Sequence, residues 1–258
     1  MNKGLEKQLQ ENPMIIEGIE NPSKEMIDIA LSRNGAAIKY IKNPTYSEKE
    51  IAIKSNPLAV KYIDELEEEL GVLAVTLLWN VLLYIKEPTY KIKKAAVQSK
   101  GWAMQYIENQ EEELCMIAVQ KDYDSIKYIK NPSKEVQYAA IKNYWGAIKF
   151  INKPSLEIKR AAIKESAEAI NFISSYDMDE LKIYISDNIN VVKYIYDSIE
   201  PSDVVEILID KIKKDDMSKE YMVDFLELDI LEMDKIRFIW EYGNEKTKKI
   251  LVDYNLSK

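Results

Sequence analysis

The chain has 258 residues, 47% hydrophobic and 31% charged, with a net charge of −8, no histidine and one cysteine, Cys115. This is the composition of a globular chain long enough to bury a core. The missing histidine excludes Ser-His-Asp and Cys-His catalysis, imidazole acid–base chemistry and His-containing zinc sites.

A lone cysteine excludes an intramolecular disulfide and thiolate zinc clusters, and it fits a reducing compartment, so a cytoplasmic location is expected. Seven glycines and eight prolines are few for a turn-rich β protein, whereas abundant Leu, Ile, Ala, Lys and Glu favour helix. Residues 1–13, MNKGLEKQLQENP, lack the apolar core of a signal peptide. The longest uncharged apolar run, Leu70 to Ile85, has 16 residues, short of the ~20 that span a bilayer. No membrane association is expected. Residues 1–195 hold 26 basic and 28 acidic side chains, a net of −2, and residues 196–258 hold 10 and 16, a net of −6. General attraction to nucleic acid is therefore disfavoured.

Down the chain, a segment ending in aromatic-Ile recurs every 22 residues, closing at Ile41, Ile63, Ile85, Ile107, Ile129, Ile151, Ile173 and Ile195. A weaker first copy, MIIEGI, ends at Ile19 in the same phase. Ala30, Ala52, Ala74, Ala96, Ala118, Ala140 and Ala162 form a second column with the same spacing. Constant phase over this many copies is the mark of a repeat architecture.

Each copy reads as two short helices. The first is predicted to start at Asn-Pro, with Asn131 as N-cap and Pro132 at the first helical position, as also at Asn21-Pro22 and Asn43-Pro44. A break near Gly35, Pro57, Gly101 or Gly146 precedes the second helix, which carries segments such as AIKYI. The small alanine column is expected where helices of adjacent copies approach. Helices this short are marginal alone and gain stability by stacking. The expected fold is an all-α solenoid of about nine 22-residue copies over residues 1–195. Residues 196–258 are expected to form a helical cap or partner-binding segment, with helices from Ser202 to Lys214, Ser218 to about Leu228, 231–241 and 245–254.

The clearest copy, Asn131 to Ile151, reads N-P-x-x-E-V-x-x-A-A-I-K-x-x-x-x-A-I-K-F-I. It resembles the short α-helical repeats of bacterial and viral proteins, being similar to the variant leucine-rich repeat and to repeats of the A-A-V-x-x-x-G-x-A-L-x-Y type. The resemblance covers roughly residues 12–195 and departs in its slightly shorter period. It implies a right-handed superhelix, protein or nucleic-acid binding as its use, and no catalytic residues.

Candidate sites lie where the copies disagree. The aromatic column Tyr40, Tyr62, Tyr84, Tyr106, Tyr128, Phe150, Phe172 and Tyr194 is expected to pack in the core, its rings between copies and its hydroxyls reaching the surface. At the turn within each copy, four consecutive copies carry Trp79, Trp102, Tyr123 and the pair Tyr144-Trp145. With stacked helices about 8–10 Å apart, these would form a ridge roughly 30 Å long, of the residue types enriched at interface hot spots. In the third full copy Leu77, Leu78 and Leu83 replace Ser55, Asn56 and Lys61. An apolar patch of this kind calls for cover, by the C-terminal helices or by a second copy of the chain in a homodimer, or marks a partner site.

Lys39, Lys61, Lys127, Lys149 and Lys193 form a column that could follow a phosphate backbone, interrupted by Leu83 and Gln105. The acidic clusters Glu67-Glu68-Glu69 and Glu111-Glu112-Glu113 fit helix starts. No cofactor, metal or enzymatic activity is expected: there is no Gly-rich phosphate loop, and no histidine to activate Cys115. The expected function is protein binding, as an adaptor or inhibitor through Leu78, Trp79, Leu83, Trp102, Tyr123, Tyr144 and Trp145. The Lys-, Ile-, Asn- and Tyr-rich composition fits a bacterial or phage genome, which makes inhibition of a host defence protein one expected form. Nucleic-acid binding along the lysine column is the alternative.

Overall fold

A ten-residue α-helix followed by a 3-10 helix recurs at 22-residue spacing throughout the repeated region. The structure, a computed structural model, describes residues 2–256 and divides into two compact units, Met1–Val136 and Gln137–Lys258. It is all-helical, with no strand among the described residues.

In the first unit, α1 (Asn2–Glu11), α2 (Lys24–Arg33), α3 (Tyr46–Ser55), α4 (Glu68–Leu77), α5 (Tyr90–Ser99) and α6 (Glu112–Lys121) each pack on the next. Between them run six-residue 3-10 helices: Pro13–Gly18, Gly35–Tyr40, Pro57–Tyr62, Trp79–Tyr84, Gly101–Tyr106 and Tyr123–Tyr128. These too pack in sequence on one another. Helix α7 (Lys134–Asn143) spans the boundary between the units.

The second unit continues with the 3-10 helix Trp145–Phe150, α8 (Leu156–Glu165), the 3-10 helix Ala167–Phe172 and α9 (Met178–Asp187). Its last copy is irregular: a 3-10 turn Ile189–Val191, α10 (Val192–Ile195) and a 3-10 turn Tyr196–Ser198. The expected C-terminal helices are present as α11 (Pro201–Lys213), α12 (Lys219–Glu227), α13 (Lys235–Tyr242) and α14 (Glu245–Leu256). Helix α11 packs on α9, and the buried Tyr221 hydroxyl of α12 donates to the Ile185 carbonyl at 2.9 Å.

Local chemistry corrects the predicted helix starts. Asn-Pro does not cap the α-helix. Asn21 and Asn43 take left-handed backbone, with φ of 54° and 51°. This is a conformation asparagine tolerates, and the αR region is disfavoured before proline. The true N-caps are Ser23, Thr45, Thr89 and Ser155, two residues later, and Thr45 forms a reciprocal capping box with Glu48. Glu67 and Glu111 do occupy N-cap positions, as their clusters suggest, but without a side-chain cap bond. Glu67 pairs with Lys49 of the preceding copy at 3.1 Å instead.

The second short helix of each copy takes the 3-10 form. Three residues per turn splits its sequence cleanly: Ala37 and Ile38 are buried while Lys39 and Tyr40 point outward, and the same split recurs in the later copies. The alanine column is fully buried, from Ala30 to Ala162. Its carbonyls approach the preceding copy so closely that a Cβ on Gly35 would lie 1.9 Å from the Ala52 oxygen.

Candidate partner-binding surface

The aromatic column is not part of the core. Tyr62, Tyr84, Phe172 and Tyr194 are exposed and the other four are half-buried. The reason is the 3-10 phase, which gives the inward places to the residue pairs typified by Ala37-Ile38. The column still links copies, as a surface ladder. In the first unit Trp79 stacks on Tyr106 at 6.0 Å and Trp102 meets Tyr128 edge-on at 6.2 Å. In the second unit Trp145 packs on Phe172 at 5.7 Å and on Tyr144 at 5.0 Å.

The rim residues occupy three consecutive positions of the 22-residue copy. Trp79, Tyr123 and Trp145 are the first residues of their 3-10 helices, Trp102 is a second residue, and Tyr144 is a cap. Gly146 leaves room for the Tyr144 ring, since a Cβ there would lie 2.4 Å from it.

A pattern not read from the sequence separates these copies from the rest. Asn34, Asn56, Ser166 and Asn188 each cap their 3-10 helix by accepting a backbone N–H. The equivalent Leu78, Lys100, Asp122 and Tyr144 make no such bond. The copies with rim aromatics are the ones that have given up the cap, worth about 1 kcal/mol each.

Within the first unit two of these turns differ. At the first, Leu77 and Leu83 are 50% and 56% exposed, so the expected internal cover is not supplied by their own unit. Trp79 is half-buried, and its indole N–H makes no hydrogen bond among the described residues. Tyr84 beside it is exposed, with the Lys61 ammonium 3.8 Å from its ring centre.

At the second, Trp102 is pinned. Its indole N–H donates to Asp124 at 2.7 Å, and Lys127 donates to the other oxygen of that carboxylate at 2.8 Å. Lys127 and Lys100 lie 4.3 and 5.0 Å from the indole centre. Burial pushes the Asp124 carboxyl up, but the Lys127 and Trp102 bonds outweigh it and hold the group below the ordinary carboxylate range.

The lysine column is exposed and much of it lies on rings: Lys39 over Tyr40 at 4.5 Å, Lys149 over Phe150 at 4.7 Å, besides Lys61 and Lys127. Lys193 is exposed in the second unit. Cys115 is buried, and that burial pushes its thiol up, away from reactivity. No group of three His, Cys, Asp or Glu residues among the described residues is placed to hold a metal. Among the described residues no helix is long and apolar enough to cross a membrane. No protein family, curated protein or solved structure matches the chain significantly.

Proposed function

We propose that the chain is a protein-binding α-solenoid, an adaptor or an inhibitor, whose partner seats on the Leu77–Tyr84 turn. Residues 1–195 are read as the stacked 22-residue copies and residues 196–258 as the closing helical segment, in keeping with the short bacterial and viral helical repeats the sequence resembles. The unbroken spacing of α and 3-10 helices supports that reading.

The observation that carries the binding site is the exposure of Leu77 and Leu83 beside Trp79, where the preceding copy has Ser55, Lys61 and Pro57. Leu78 also replaces the capping Asn56. A copy that trades a cap for exposed apolar surface loses stability without gain to its own fold, which is the signature of a functional position. Trp and other large apolar side chains supply the anchors of interfaces.

The test is affinity capture from the native cell, identification by mass spectrometry, and affinity measurement of the identified protein. Trp79→Ala and Leu83→Glu are expected to weaken binding by about 2 kcal/mol or more. A captured protein that binds both variants with wild-type affinity overturns the assignment. A light-scattering mass of two chains that reverts to one in Leu83→Glu would make the occupant a second copy.

A further inference from the structure

The loop after each 3-10 helix forms a groove against the next copy, and the grooves differ in charge. In the first unit one, with about 310 Å³ of space, is lined by Lys61 and Lys86 together with the carboxylates of Asp64, Glu65, Glu68 and Glu87, and Lys86 lies 3.7 Å from Asp64. The equivalent groove four periods later, wholly within the second unit, has about 500 Å³ of space. There Lys149 keeps the place of Lys61, but Asn152, Lys153 and Ser175 stand where Asp64, Glu65 and Glu87 stood. Every carboxylate has left the lining.

Three lysines face this groove. Lys159 is committed, donating to Glu180 at 2.8 Å and to the Ser175 carbonyl at 2.9 Å. Lys149 and Lys153 make no ion pair among the described residues. The Asn152 amide and the hydroxyls of Ser174 and Ser175 are likewise without a hydrogen-bond partner there. Lys153 takes left-handed backbone, φ 48°, as Glu87 does in the first groove.

From this we propose that the groove binds a phosphate monoester. Two unneutralised ammonium groups match the charge of about −1.5 to −2 that such a group carries at neutral pH. Its three terminal oxygens can accept from Lys149, Lys153 and the neutral donors together, whereas a carboxylate offers two. Lysine serves phosphate as a point charge and needs no guanidinium fork. The phosphate can belong to a nucleotide or to a phosphorylated side chain, and the probes below separate the two.

The full chain is titrated calorimetrically with inorganic phosphate, AMP and N-acetyl-phosphoserine amide. Phosphate binding is expected from all three, reduced at least about tenfold by Lys153→Glu and unchanged by Lys61→Glu. Tighter binding of AMP assigns a nucleotide, and tighter binding of the phosphoserine probe assigns a phosphoprotein. The triple variant Asn152→Asp, Lys153→Glu, Ser175→Glu introduces three of the carboxylates of the first groove, at exposed loop positions, and it is expected to abolish binding. The proposal is overturned if no probe binds up to about 10 mM, or if the triple variant, folded by circular dichroism, binds as the wild type does.

Discussion

Two turns of the first unit carry a tryptophan on the same rim and use it differently. Trp102 is anchored at its indole N–H by Asp124, with the Lys100 and Lys127 ammonium groups 5.0 and 4.3 Å from its ring centre. Trp79 lies against Tyr106 with no polar anchor, between the exposed Leu77 and Leu83. The first ring is fixed by its own chain and has little left to offer a partner. The second is presented. A row of aromatics in a repeat therefore does not define a binding site until each ring's internal partners are known.

The comparison is broken most directly by removing the pinned ring. Trp102→Ala is expected to cost about 2–3 kcal/mol of stability, below the 3–5 kcal/mol of a fully buried ring because Trp102 is half-buried. Partner affinity should stay unchanged when measured on the folded fraction. Denaturant unfolding and calorimetric titration check the two halves separately. A loss of affinity with unchanged stability would reverse the roles assigned to the two turns.

Trp79→Ala should show the opposite split. Its stack on Tyr106 contributes about 0.5–1.5 kcal/mol to stability, while the partner is expected to lose about 2 kcal/mol or more. Equal effects on stability and affinity would mean that Trp79 is a brace as well.

How much of this was legible beforehand depended on what the period could report. The 22-residue spacing, the buried alanine column and the four C-terminal helices all follow from periodicity and capping residues, and they stand in the structure. What failed were inferences needing backbone detail. Asn43 looks like an N-cap, but it takes left-handed backbone before Pro44, and Thr45 is the cap. Tyr40 looks like core because it adjoins Ile41, but the 3-10 phase turns it outward. The pinning of Trp102 did leave a trace: Asp124 lies one period beyond it, as Asp122 lies one period beyond Lys100. Reading each column for a complementary group one period away would have separated Trp102 from Trp79.

Directly after Asp124 in the sequence sits a smaller test of how closely the copies are optimised. Ser125 occupies the place of Ala37, Ala59, Ala103 and Ala147, is fully buried, and its hydroxyl has no hydrogen-bond partner among the described residues. Ser125→Ala removes an unsatisfied polar group from a site shaped for alanine, so it should stabilise the chain by about 1 kcal/mol, or about 2–4 °C in melting temperature. A loss of stability would reveal a partner for that hydroxyl and tie it to the Asp124 lock.

The lock itself is tested by acid. The Asp124 carboxyl is held below its unfolded value of about 3.9. Its contribution is therefore present above about pH 4 and lost as pH falls through the depressed folded value. Asp124→Asn keeps an acceptor for the Trp102 indole but gives up the Lys127 charge pair, a partly exposed contact of about 0.5–1 kcal/mol. The wild type should thus lose its small advantage over Asp124→Asn between about pH 4 and pH 2, read as converging unfolding midpoints. Over the same range the difference in tryptophan fluorescence between the two should close. If the midpoints stay apart at the acid end, the Trp102 turn is held by packing alone, and the distinction from Trp79 would rest on the two lysines at the ring rather than on Asp124.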